Sequence, residues 1–202
     1  MRIILASASP RRIELLEQVG IFVEVIPAHV DETIFNHESA QEAIQRLAQL
    51  KNDTIFKQHS DACVISADTM VILGDVIFNK PMDEADAFRM LKALSGKTHQ
   101  VMTAMMIQST QFKKEVLSIT HVTMAELSDQ DIWDYIKTKE PMDKAGAYAI
   151  QGKAGWMIQK IEGDFYTVVG LPLYECVKIL RENQVLDLQC TLVNDVRPET
   201  KK

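Results

Sequence analysis

The apolar positions of this chain change period repeatedly, and each change marks an element. Ile3, Ile4 and Leu5 form an unbroken apolar run that predicts a short buried strand over residues 2–6. Directly after it, Ile13, Leu15, Leu16 and Val19 share one face of a helix over 10–19, with Ser9 as N-cap and Pro10 as its first residue. A strand over 22–27, a helix over 39–58 whose apolar face carries Ile44, Leu47, Ala48 and Ile55, and a strand over 63–67 follow. Gly74-Asp75 between apolar runs at 71–73 and 76–78 predicts a tight hairpin. Asp83 caps a helix bearing Ala87, Phe88, Leu91 and Leu94, and Ser95-Gly96 ends it. Strands over 99–109 and 113–124 come next, then a helix begun by Ser128 with Asp131 and stopped near 139 by Pro141. A strand over 156–161 and a helix from Leu171-Pro172 to about 182 complete the pattern. The alternating start, the consecutive strands after it and the absence of repeats predict an α/β fold: one mixed twisted sheet with flanking helices and a cleft.

The first strand-to-helix turn carries chemistry as well as structure. Free N–H groups at a helix N-terminus favour an anion, and Arg11 and Arg12 on the first turn reinforce that preference. On dipole grounds alone two cations are misplaced there, so removing Arg12 is expected to cost little stability, and a ligand is the better reason for both. Paired arginines on a surface turn can also be simply solvated.

Composition narrows the partner. At 202 residues, 47% hydrophobic and 25% charged, the chain has ordinary globular character, predicting one domain over 1–185 and a solvated C-terminal tail over 186–202. The formal charge of −6 argues against a broad nucleic-acid or membrane surface, so any polyanion must meet a local positive pocket. Cys63, Cys176 and Cys190 are odd in number and widely spaced, as suits a reducing compartment. No apolar stretch is long enough to span a bilayer, and Ser7, Ser9, Arg11 and Arg12 interrupt any secretory core, so the expected location is cytoplasmic.

Several polar residues have two readings. Asp68, after the apolar run 63–67, is either a carboxylate delivered to the C-terminal edge of a strand, where α/β ligands sit, or a cap for the next turn. Lys51 and Lys80, as single lysines, read on their own as solubilising charges, and Asp31-Glu32 is a divalent-ion donor or a solvated pair. Gly96-Lys97-Thr98 is not a phosphate-binding P-loop: the earlier glycine would fall at Leu91, and a helix precedes it. His99 there reads as a hydrogen-bonded structural residue. Gln151 offers the donor and acceptor that a pyrimidine edge requires, or sits in a turn entering a strand. The ten methionines, Trp133 and Trp156 read as core filling.

Six ordered blocks, Ser7-Ala8-Ser9-Pro10-Arg11-Arg12, Ser66-Ala67-Asp68-Thr69, Asn79-Lys80-Pro81, Leu94 to Val101, Asp143 to Tyr148 and Val168 to Leu173, resemble the Maf family of nucleoside triphosphate pyrophosphatases over roughly residues 2–184. The resemblance implies a Maf and inosine-triphosphatase-like fold with two lobes around the cleft. It implies Asp68 as the proton acceptor that activates water, and Ser7, Arg12, Lys51 and Lys80 around the triphosphate. It further implies Glu32 and Asp68 as ligands of a divalent cation, Mg or Mn. Arg11, Thr69 and Gln151 match positions that separate the dTTP and UTP type from the 7-methyl-GTP type, and all three agree with the former. The partner implied is a nucleoside triphosphate, with a homodimer as an option and neither nucleic acid nor membrane. A purine- or 7-methyl-GTP-preferring pyrophosphatase, or a nucleotide-binding regulator of septum formation, is the alternative. Ala104 departs from the glycine frequent in that family.

Overall fold

The computed structural model describes residues 1–35 and 37–186. The expected tail, Cys190 included, therefore lies outside the described residues apart from Leu186. In chain order the elements are β1 (Ile3–Leu5), α1 (Pro10–Gln18), β2 (Glu24–Val25), α2 (Ala40–Phe56), β3 (Cys63–Leu73), β4 (Val76–Phe78), α3 (Glu84–Leu94), β5 (Thr98–Gln108), β6 (Lys113–Met124), α4 (Asp129–Lys137), β7 (Ile158–Glu162), α5 (Phe165–Val169) and α6 (Leu173–Glu182). The local signals behind the main helices act as read. Ser39 with Glu42, and Ser128 with Asp131, form reciprocal capping boxes, and the Asp83 side chain accepts from Asp86 N.

The seven strands form one mixed sheet in the order β2-β1-β3-β5-β6-β7, with β4 also on β3. β1 is parallel to β2 and β3, whereas β3, β5, β6 and β7 run antiparallel in succession. β3 does not stop at residue 67. Its pairing with β5 continues through Asp68↔Ala104 and Thr69↔Thr103 to Ile72, because the apolar run resumes at Met70-Val71-Ile72 and outweighs the turn preference of a single Asp. Asp68 is thus a mid-strand residue and not a strand end.

That correction explains where the cleft lies. With β5 along one edge of β3, the other edge pairs β1 at Cys63–Ile65 and β4 at Val71–Leu73, leaving that edge open at residues 66–70. Strand alternation then separates the faces. Odd positions pack into two cores: Ile65 and Ala67 join β1, α1 and α6 in one lobe, and Val71 joins α3 and α4 in the other. Even positions Val64, Met70 and Ile72 pack on the face covered by α2. Asp68 and Thr69 lie at the waist between the two lobes, one on each face.

Other expectations need amendment. The stretch 156–161 is strand only from Ile158, since Lys153–Met157 forms a 3-10 turn. β2 has only two paired residues, and residues Phe165–Val169 add a short helix, α5, that the apolar pattern does not predict. Met70, Met90, Met105, Met106, Met124 and Met157 fill core, but Met82 is exposed, Trp156 is 61% exposed, and Trp133 stacks on Phe88 at the surface. Neither tryptophan is core filling.

Candidate active site

α1 opens with Ser9 in an extended conformation and Pro10 in the first turn; Pro10 carries no N–H and Arg12 N donates to Ser9 O, so in the first turn the Arg11 N–H is the amide left for an anion. Arg12, only 8% exposed, turns inward. Its Nε donates to Gly170 O (2.7 Å), Nη1 to Ser7 Oγ (2.9 Å) and Ala67 O (2.8 Å), and Nη2 to Thr69 Oγ1 (3.1 Å). The bond to Ala67 satisfies part of the strand edge that β1 and β4 leave open. Burial lowers the Arg12 pKa, while the field of Asp68 acts in the opposite direction.

Thr69 shares that network. Thr103 Oγ1 donates to Thr167 O (2.8 Å), which commits its single proton, so the 3.0 Å bond between Thr69 Oγ1 and Thr103 Oγ1 has Thr69 as donor. The relay links β3 through β5 to α5. Asp164 makes α5 possible by capping Tyr166 N and Thr167 N, and the helix ends at Gly170, whose φ of 120° only glycine adopts freely. A side chain there would also press on Thr69 Oγ1.

On the opposite face of β3, α2 brings Lys51 over Asp68. Lys51 Nζ lies 2.6 Å from Asp68 Oδ1 and 2.7 Å from Glu32 Oε1. Burial pushes the Glu32 pKa up, but the hydrogen bond from and charge of Lys51, with Lys80 and Arg12, hold it below its ordinary value. Lys51 itself is buried, which excludes the solubilising reading.

These groups line one cleft of about 670 Å³, within the usual range for a small-molecule site. Its wall includes Ser7, Arg11, Arg12, Glu32, Lys51, Asp68, Thr69 and Lys80. Sequence reasoning left out Lys144, Asp143 and His29, which also line it; the Asp143-Lys144 ion pair was visible only as part of a turn. Arg11, Arg12, Lys51, Lys80 and Lys144 outnumber Glu32, Asp68 and Asp143, giving a positive pocket on an acidic chain. Arg11 is half-buried, and its pKa is lowered by that burial against the fields of Asp143, Tyr135, Glu14 and Glu140.

Gln151 is not brought to this wall. It stands exposed on a turn three residues after the lining residue Tyr148, and no strand follows directly. His99 is structural, as expected: Nε2 pairs with Tyr148 Oη at 2.8 Å and burial pushes its pKa down to about 4.

The profile of the family described as Maf-like protein matches residues 2–183. The chain belongs to the Maf family. Among curated members, the dTTP/UTP pyrophosphatase of Aquifex aeolicus is 46% identical over 186 residues, covering 92% of this chain and 97% of that protein. The dTTP/UTP pyrophosphatase of Bacillus velezensis is 46% identical over 181 residues, covering 90% and 96%. Among solved structures, the Staphylococcus aureus Ham1 protein aligns with a TM-score of 0.49 and 14% identity over 91% of this chain and 100% of that one, too distant to bear on substrate. No described helix is long and apolar enough to cross a membrane.

Proposed function

We propose that this chain cleaves dTTP and UTP between the α and β phosphates, releasing the monophosphate and pyrophosphate. The observation that carries the reading is the cation-rich cleft built around a carboxylate, Asp68, at the strand edge that β1 and β4 leave open. The names of the Maf relatives favour the same substrates. Removal of unwanted or modified nucleotides in the cytoplasm is the corresponding task, and the free, buried thiols of Cys63 and Cys176 suit that reducing compartment.

In this reading Asp68 accepts a proton from the water that attacks the α phosphorus, and Lys51 orients the carboxylate. The Arg11 side chain and N–H and the Lys80 ammonium receive the triphosphate, with the Ser7 hydroxyl beside them. Arg12 has committed four of its five N–H groups to the protein, so it shapes the phosphate cradle and offers one Nη2 hydrogen.

Glu32 and Asp68 present oxygen to a common point now held by an ammonium, a donor set that fits Mg or Mn, which commonly take one or two carboxylates and complete their shell with phosphate and water. Among the described residues no group of three or more His, Cys, Asp or Glu is poised for a metal, so nucleotide oxygens would complete the site. Such a cation supplies neutralisation of charge developing on the leaving pyrophosphate. Arg11, Thr69 and Gln151 are assigned to base selection.

The test is pyrophosphate release from a panel of nucleoside triphosphates with and without chelator. Fast turnover of dTTP and UTP, abolished by chelation, is expected. A preference for purines or 7-methyl-GTP would overturn the substrate assignment, and tight binding without turnover would make the chain a nucleotide-binding regulator. Homodimerisation is read separately, from sedimentation against the 22.8 kDa chain mass.

A further inference from the structure

The turn that carries Gln151 is held from within. After α4 the chain reverses at Lys139, whose φ of 63° is a left-handed conformation uncommon outside glycine, and this aims the Glu140 carboxylate back beneath residues 152–153. Glu140 Oε1 accepts from Lys153 N at 2.9 Å and Oε2 from the same amide at 3.1 Å. Tyr135 Oη donates to Glu140 Oε1 at 2.9 Å and accepts from Ala149 N at 3.2 Å. Two side chains thereby secure the backbone amides at both ends of a turn whose own closing bond is Gly152 N to Ala149 O, 3.0 Å. A Cβ at Gly152 would overlap the Glu140 carboxylate, so a side chain there would push the carboxylate out of the clamp. Tyr135 is buried and its hydroxyl is fully used.

The turn is also tied to the cleft. Tyr148, immediately before it, lines the pocket and is fixed by its bond to His99. Arg11 in the cleft wall feels the field of Tyr135 and Glu140. We infer that Tyr135 and Glu140 are positioning residues for nucleotide binding: they fix the 149–153 turn and, through it, the cleft-lining Tyr148 just before it relative to Arg11. The inference rests on the pyrimidine triphosphate reading above. The phosphate-side groups Asp68, Lys51 and Ser7 lie on β3, α2 and the α1 turn, so the clamp governs substrate binding while leaving the chemical step intact.

Glu140→Ala removes the clamp, Glu140→Gln keeps an oxygen acceptor but discards the charge, and Tyr135→Phe removes the link to Ala149 without changing shape. Steady-state kinetics on dTTP and UTP, with amide hydrogen exchange of peptides spanning 149–153, read the result. Glu140→Ala is expected to raise KM for both nucleotides about tenfold with kcat within about twofold, and Glu140→Gln and Tyr135→Phe to raise KM less. Exchange at 149–153 should quicken in Glu140→Ala while β3 is unchanged. Unaltered exchange, an unaltered KM despite faster exchange, or a fall in kcat at constant KM would overturn the inference. If Glu140→Ala does not fold, the two shape-preserving variants decide it by the same readouts. Exchange does not depend on which nucleotide is cleaved, so a wild type inactive on dTTP and UTP would defeat the substrate reading separately.

Discussion

Arg12 shows how a residue's surroundings can reverse an argument made from its position. A cation on the first turn of a helix opposes the dipole by about 0.3–1 kcal/mol. Its hydrogen bonds to Gly170 O, Ala67 O and Ser7 are buried, that to Thr69 partly so, and all are charge-assisted; removing such a donor leaves acceptors without partners at a cost of about 1–3 kcal/mol each when isolated. The second effect wins, so Arg12→Ala should lose about 2–4 kcal/mol in guanidinium unfolding as well as raising KM for the triphosphate. A variant as stable as the parent would show that the dipole relief offsets those bonds. Asp68 invites the opposite expectation. Asp68→Asn keeps the side chain's shape and leaves Lys51 paired with Glu32, so the melting temperature should hardly move. An amide cannot accept the proton from water, so kcat should fall by at least about a hundredfold while nucleotide still binds. Near-normal turnover in the folded variant would remove Asp68 from the chemistry.

At the scale of elements, legibility follows how locally each one is determined. α2, α3 and α4 were readable because their caps lie within three residues of sequence, and the hairpin at Gly74-Asp75 because its turn chemistry is local. The length of β3 was not, since its continuation through Asp68 is set by pairing with a strand some 35 residues away, where Thr69 meets Thr103. α5 escaped notice because five residues give no helical period, although Asp164 ahead of Tyr166 and Thr167 was a usable N-cap signal. The short 3-10 turn Ala145–Ala147, between α4 and β7, depends on long-range contacts in the same way. Gly146 there has a φ of 69°, donates its N–H to Asn79 O, and would bring a Cβ within 2.9–3.0 Å of the Val71 side chain. Gly146→Ala should therefore destabilise the protein by about 2–3 kcal/mol, through backbone strain and overpacking together. Thermal unfolding checks this, and a shift smaller than that of a surface control would mean that Val71 and the turn relax freely.

For the whole molecule, the decisive feature is that one strand passes through both lobes and places chemistry on each face at the waist between them. The residue types of the phosphate side were visible in sequence, yet their juxtaposition was not: Lys51, Glu32 and Asp68 come from a helix, a loop and a strand that only the sheet brings together. The base-selecting residues assigned by family resemblance divide differently across this frame. Thr69 is woven into the relay from Arg12 through Thr103 to Thr167, whereas Gln151 is exposed on the clamped turn. Exchanging Thr69 for Gln must therefore disturb the fold as well as selectivity, and it should lower the melting temperature together with kcat/KM. Gln151→Glu separates the two effects. Replacement of an exposed amide costs the fold almost nothing, but an ionised Glu offers only acceptors to a pyrimidine carbonyl, and in a site that reads hydrogen bonds this should reduce kcat/KM for dTTP and UTP about tenfold or more. The measurement is kcat/KM for dTTP, UTP and 7-methyl-GTP beside the melting temperature of each variant. Pyrimidine-to-purine ratios unchanged by Gln151→Glu would place base selection on Arg11 and the lobe that carries it.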